Sequence, residues 1–170
     1  DVDPALTAQV TSGSIVSGDV ASGALSRAVG ENVGTYAINK NTYTYGSNYA
    51  ETYAGADLTI TQRAITITAD AKSKTYGDVD PALTAQVTSG SIVCGDVASG
   101  APSRAVGENV GTYAINKNTY TYGSNYAETY AGADLTITQR AITITADAKN
   151  KTYGGVHPAF TPQVTSGSIL

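Results

Sequence analysis

Asp78-Val79-Asp80, echoed as Asp1-Val2-Asp3, sets two carboxylates two residues apart between Gly77 and Pro81. Loops rich in Asp can ligate calcium, a hard cation that takes about six oxygen ligands. No further acidic residue follows at the alternate positions that a calcium loop uses, so Asp78 and Asp80 carry that reading with few donors. The same residues also read as turn chemistry, with Asp80-Pro81 fixing a bend and Asp78 bonding backbone amides. A later copy of the phrase has His157 in place of Asp80, which favours the turn.

Tyrosine is the other abundant chemistry-bearing type: twelve Tyr against one Phe and no Trp. Tyr43 and Tyr45, repeated as Tyr120 and Tyr122, would share a strand face. With flanking Asn and Thr they could stack on sugars or meet partner proteins. They could equally fill the core of a chain short of other aromatics, with Tyr113 and Tyr126 foremost. Lys117 lies between Asn116 and Asn118. A lysine–asparagine crosslink needs a partner across strands and a nearby carboxylic acid, which sequence neighbours do not supply. Asn150-Lys151-Thr152 is a glycosylation sequon whose earlier copy reads Ser73-Lys74-Thr75, so it is read as chance. The lone His157 and lone Cys94 lie outside the repeated pattern, and no Ser/His/Asp set, metal cluster or glycine-rich phosphate loop recurs. No enzyme is expected, and no cofactor beyond the calcium considered at Asp78 and Asp80.

The elements that hold these residues come from a repeat. Aligning Asp1 with Asp78 gives a period of 77, and residues 1–77 differ from 78–154 only at Ser17/Cys94, Leu25/Pro102 and Ser73/Asn150. A third copy starts at Gly155 and carries five changes, at Gly155, His157, Phe160, Pro162 and Leu170. A 77-residue unit is too long for a solenoid turn and large enough for a small domain. Copying a domain whole argues for reach, valency or stiffness, and against a unique active site. Charged residues are 14% of the chain and the net charge is −4, which disfavours nucleic acid or an anionic membrane as partner. No apolar run approaches the roughly 20 residues of a membrane span.

Within the unit, Ile65-Thr-Ile-Thr-Ala-Asp-Ala-Lys72 alternates as a half-buried strand, and Ala141–Lys149 repeats it. TYGDVDP then reads as a turn, and Leu83, Ala85 and Val87 mark a second strand. Asp19 or Asp96 could cap one or two helical turns. Gly111–Ile115 makes a third strand, residues 116–125 an excursion, and Tyr126–Thr138 a last strand. Inward parity flips between Leu58/Ile60 and Ile65/Ile67, as a strand passing straight from one core to the next or a slight bulge at residues 61–64 would give, and so short a join is expected to be stiff. The predicted domains are 1–63, lacking its opening strand, 64–140, complete, and 141–170, a beginning. The ends are read as those of a window on a longer chain.

The ordered phrases KTYGD–DP–LT, GENVGTYAI, NYAETYAGADLTIT and RAITITADAK resemble the bacterial surface repeat called the MBG domain of YGX type, over nearly the whole chain. The third copy departs from the pattern at Gly155, His157 and Phe160. The resemblance implies a β-grasp-like fold, tandem copies in large secreted adhesins of filamentous-haemagglutinin-like and mucus-binding type, and no catalytic residues. The fold expected is therefore mostly β: small β-grasp-like domains of about 77 residues strung end to end, with Ig-like β-sandwich repeats as the alternative.

Three functional readings follow. The first is a structural module of an extracellular bacterial stalk or fibre at the cell surface, whose partners are neighbouring repeats. The second is a module that binds host glycans, mucus or other surface proteins through Tyr43, Tyr45, Tyr120 and Tyr122. The third is a subunit that assembles by strand complementation, with Ile142, Ile144 and Ala146 on the assembly strand. Ile144 is expected to be buried.

Overall fold

β-Branched and aromatic residues alternate with small polar ones throughout, and glycines interrupt them often, which favours short strands joined by turns. The computed structural model describes residues 2–167, so Asp1 of the first acidic pair and the Leu170 change lie outside it. Among the described residues there are twelve strands and no helix. The chain divides into two units: one runs to Arg63 and includes Ser124–Ala127, the other comprises Ala64–Gly123 and the chain from Glu128 onward.

The first unit has one sheet, built from β1 (Ser26–Arg27), β2 (Gly34–Asn39) and β3 (Ala56–Ile60) in antiparallel order β1-β2-β3. Tyr36 stands opposite Leu58, and Ile38 opposite Ala56. Asn125 also belongs to this unit. Its side-chain oxygen accepts from Val33 N–H at 3.0 Å and its amide donates to Asn32 Oδ1 at 2.9 Å.

The remaining strands are β4 (Arg63–Ala69), β5 (Lys72–Thr75), β6 (Ala85–Ser89), β7 (Ser103–Arg104), β8 (Gly111–Asn116), β9 (Tyr126–Ala131), β10 (Ala133–Thr138), β11 (Thr143–Ala146) and β12 (Pro162–Ser166). Two sheets form from them, β6-β4-β9 and β5-β10-β8-β7, beside the ribbon β11-β12. The opening strand expected over residues 65–72 is thus two strands in different sheets. The break falls at Asp70, whose N–H bonds Thr84 O at 2.9 Å and whose carboxylate accepts from Thr84 and Gln86. The expected last strand breaks likewise at Gly132, between β9 and β10. Strands that change sheets at a bend in this way form the corners of a two-sheet packing.

Both sheets share one core. Ala69 of β4, Ile115 of β8 and Leu135 of β10 form a buried cluster, with Leu83, Tyr113, Tyr130 and Ala133 packed against it. Ile65, Ile67, Tyr126 and Ile137 are also buried. β5 and β10 pair in parallel, Lys74 opposite Ile137, so the first and last segments of the repeat are joined by a ladder. The β4–β6 register shifts between Thr66 and Ile67. Gly90, at φ +80°, lies so close to Ala64 O there that a Cβ would collide with it.

The fold is all-β. The helical turn expected at Asp19 or Asp96 does not form. The backbone around it makes a tight turn, with Asp96 N–H bonded to Val93 O at 3.0 Å and Gly95 at φ +99°. Asp19 instead accepts a hydrogen bond from the Tyr49 hydroxyl at 2.6 Å. Ile144 is 63% exposed where burial is expected, because β11 has a strand on one side only and nothing packed over its apolar face among the described residues.

Candidate functional site

The repeated phrase is where the charges converge. Lys74 is the third residue of β5 and its side chain turns inward beneath the loop that carries Asp78 and Asp80. The phrase is therefore strand as far as Thr75. The turn follows at Tyr76-Gly77, closed by Asp78 N–H to Thr75 O at 3.0 Å, with Gly77 at φ +85°. Lys74 Nζ donates to Asp80 Oδ1 at 2.6 Å and to Glu108 Oε2 at 2.5 Å.

Arg104 of β7 closes the network from the other side. Its guanidinium grips Asp80 through Nε at 2.5 Å and Nη2 at 3.2 Å, and Nη2 also donates to Glu108. Nη1 holds the carbonyls of Ala105 and Gly107, at 3.0 and 2.6 Å. The guanidinium lies 5.4 Å from the centroid of the Tyr113 ring, within cation–π range. A second clasp joins Arg140 to the Tyr76 carbonyl at 2.7 Å and to the Asp78 carboxylate.

The electrostatics follow from these contacts. Arg104, then Lys74, hold the Asp80 carboxyl down to about 2. Lys74, then Arg104, hold Glu108 below the usual carboxylate range. Asp80 and Glu108 in turn raise the Lys74 amine. Condensing an amine with a carboxyl needs both in neutral form, and this network favours both charged. Its chemistry is that of an ionic clasp tying β5, the YGD turn, β7 and the loop to β8.

The first unit repeats half of it. Arg27 Nε donates to Asp3 Oδ2 at 2.5 Å, Nη2 reaches Asp3 and Glu31, and the guanidinium lies 5.3 Å from the Tyr36 ring centroid. In the third copy Lys151 lies 3.3 Å from His157 Nε2, the residue standing in for Asp80. Sequence reasoning found Asp78 and Asp80 but missed Lys74, Arg104 and Glu108. Their signal was available: Arg and Glu recur four apart, 24 and 28 residues after the acidic Asp, in both copies of a chain poor in charge.

The tyrosines of interest lie elsewhere. Tyr43 and Tyr45 are half-buried with ring centroids 6.2 Å apart, and Tyr120 and Tyr122 repeat the edge-on pair at 6.1 Å. A carboxylate organises each loop. Glu128 accepts from Tyr122 N–H at 2.5 Å, from Thr121 at 3.0 Å and from Lys117 at 2.5 Å. Burial alone would raise Glu128, but Lys117 and these donors outweigh it and lower the carboxyl. Glu51 does the same in the first unit with Lys40, Tyr45 N–H and Thr44. The Tyr120 hydroxyl donates to Ala85 O at 3.3 Å, whereas Tyr43 lines a groove of about 760 Å³ in the first unit. Lys117, weighed for a crosslink with its Asn neighbours, pairs with Glu128 instead.

The assembly-strand candidates Ile142, Ile144 and Ala146 all carry exposed side chains, the last two in β11 itself. Among the described residues no group of three His, Cys, Asp or Glu side chains is placed to hold a metal ion. Both weighed calcium ligands are engaged by protein cations, Asp78 by Arg140 and Asp80 by Lys74 and Arg104.

The clasp ties the Tyr-Gly-Asp turn to β5 and β7, and the family model of the MBG domain (YGX type) matches residues 1–59 and 65–136. The chain belongs to the MBG domain family, YGX type. No curated protein and no solved structure matches it. The first match spans Asp3, Arg27 and Glu31, and the second Asp80, Arg104 and Glu108. The second match also spans Lys74.

Proposed function

We propose that these MBG repeats are a structural module of an extracellular bacterial adhesin stalk or fibre, in which tandem copies supply length, stiffness and valency. The observation that carries this reading is the recurrence of the clasp. The charged residues that repeat between copies face one another, Arg27 with Asp3 and Glu31, Arg104 with Asp80 and Glu108, and hold each copy together. Repeated residues used in this way build a durable bead, and tandem beads build reach. The partners are neighbouring repeats, and neither nucleic acid nor membrane suits a chain of net charge −4 with sparse cations. No catalytic role is proposed.

Small-angle scattering on the 170-residue chain, with a glycan array probed in parallel, tests the reading. A rod-like profile without glycan binding is the expected result. A flexible profile, or glycan binding abolished by Tyr120→Ala and Tyr122→Ala, would replace the stalk with a binding module.

A further inference from the structure

β10 is the last strand of the repeat at residues 64–140, and its two neighbours meet it in opposite senses. On one side β5 pairs with it in parallel, Lys72, Ser73, Lys74 and Thr75 standing opposite Leu135, Thr136, Ile137 and Thr138. On the other side β8 pairs with it antiparallel, from Ala133 opposite Ile115 to Ile137 opposite Gly111. β5 follows β4 directly, so the parallel ladder joins the first segment of the repeat to its last. The chain continues beyond both, entering the repeat at the start of β4 and leaving it after β10. Each of these two strands lies between two neighbours, β4 between β6 and β9 and β10 between β5 and β8, so neither is a sheet edge that could be peeled away.

This topology sets how tension acts on the repeat. A pull along the chain draws the first segment toward its N-terminal end and the last segment toward its C-terminal end. In parallel strands those ends lie at opposite ends of the ladder, so the bonds between β5 and β10 are sheared together. In the antiparallel pair, Gly111 and Ile137 lie side by side, and a load applied at those ends would part the bonds one after another.

Side chains extend the parallel joint to the point where the chain leaves. Tyr76 N–H donates to Thr138 O at 2.8 Å, and the Thr138 hydroxyl donates to Lys74 O at 3.3 Å. Arg140 Nε then donates to Tyr76 O at 2.7 Å while its Nη2 pairs with Asp78. β5 is itself anchored, since the buried amine of Lys74 is held by Asp80 and Glu108.

We propose that the β5–β10 ladder, with Arg140 as its staple, is a force-bearing clamp that keeps the repeat folded when the tandem chain is pulled lengthwise. The clamp gives the stalk reading a mechanical element on which it can rest. Scattering reads the string and force reads one bead, so either can fail without the other.

Single-molecule force spectroscopy on the 170-residue chain tests this, with the pulling points at exposed positions. Thr61→Cys with Ala141→Cys, in a Cys94→Ser background that takes the first copy's residue, loads β4 and β10 along the chain. Native Cys94 with Ala141→Cys loads β10 from the side of β7 and β8 instead. The first geometry should need a several-fold higher unfolding force than the second. In the first geometry Arg140→Ala should shorten the lifetime at a fixed force about tenfold, as loss of a charge-assisted hydrogen bond implies. Equal forces in the two geometries overturn the proposal, and an unchanged lifetime in Arg140→Ala overturns the part given to the staple.

Discussion

Lys74 Nζ lies 2.6 Å from Asp80 Oδ1, joining a buried strand residue to a carboxylate six positions later on the exposed loop. The pair spans the Tyr-Gly turn and fixes it to β5, and Arg104 fastens the same carboxylate to β7. Recurrence of the Tyr-Gly-Asp phrase therefore marks a mechanical element.

The clasp makes stability depend on acid pH. Asp80 titrates near 2 in the folded chain, against about 3.9 for an unperturbed Asp. A depressed carboxyl contributes stability that is complete above the unfolded value and is lost as pH falls through the folded one. Chemical denaturation between pH 7 and pH 2 should show the second unit weakening below about pH 4. Asp80→Asn should lower stability at neutral pH and flatten that acid slope. An unchanged slope in the variant would remove Asp80 from the cause.

One residue type in one repeated context should behave in two ways. Ile67 is fully buried, so Ile67→Ala should cost about 2–5 kcal/mol. Ile144, in the identical Ile-Thr-Ile-Thr sequence but 63% exposed, should cost less than about 0.5 kcal/mol. Urea denaturation under dilute, monomeric conditions checks both, and equal costs would contradict the difference in burial.

Tyr130 Oη is buried with no hydrogen-bond partner among the described residues, whereas its first-copy counterpart Tyr53 donates to Ile38 O at 3.1 Å. An unpaired buried polar group costs about 1–3 kcal/mol. Tyr130→Phe should therefore be neutral or raise stability, while Tyr53→Phe should lower it by about 1 kcal/mol. Thermal melts of the two variants give the comparison, and a destabilised Tyr130→Phe would point to an unrecognised partner.

Gly107 sits at φ +142° with the Tyr113 ring so close that a Cβ would overlap it. The ring is held on its other contacts by Arg104 and by its hydroxyl donating to Asn109 O at 2.7 Å, so it has little room to yield. Gly107→Ala should cost about 1–3 kcal/mol by strain and displacement of the ring. Near-UV circular dichroism should report the Tyr113 displacement, and an unchanged spectrum with unchanged stability would refute the crowding.

Much of the fold was legible from local pattern. The 77-residue period, the mostly-β class and most strand positions follow from alternation and glycine spacing, which depend only on near neighbours. The charged site was half legible. Asp80 stood out beside Pro81, but Lys74 and Arg104 lie 30 residues apart on the two outer strands of one sheet, and only the folded chain brings both onto its carboxylate. The helix expected at Asp19 or Asp96 failed because its cap residue offers one interaction, and the glycine-rich backbone favours turns. The break at Asp70 was hidden because the alternation of Ile65, Ile67 and Ala69 runs on to Ala71, whereas at Gly132 the inward parity changes, from Tyr126 and Tyr130 to Ala133, Leu135 and Ile137.

The sequence by itself determined which segments prefer extended backbone, where turns fall and how often the unit recurs. Only the tertiary structure decided which of those segments become strands. Tyr-Ala-Glu-Thr-Tyr-Ala is β9 at residues 126–131, beside β4, and irregular at 49–54; Ala-Gln-Val-Thr-Ser is β6 at 85–89 and irregular at 8–12. The sequences are identical, so local propensity cannot separate them. A strand is completed by hydrogen bonds and cross-strand contacts to a partner distant in sequence, and it forms where that partner is in place.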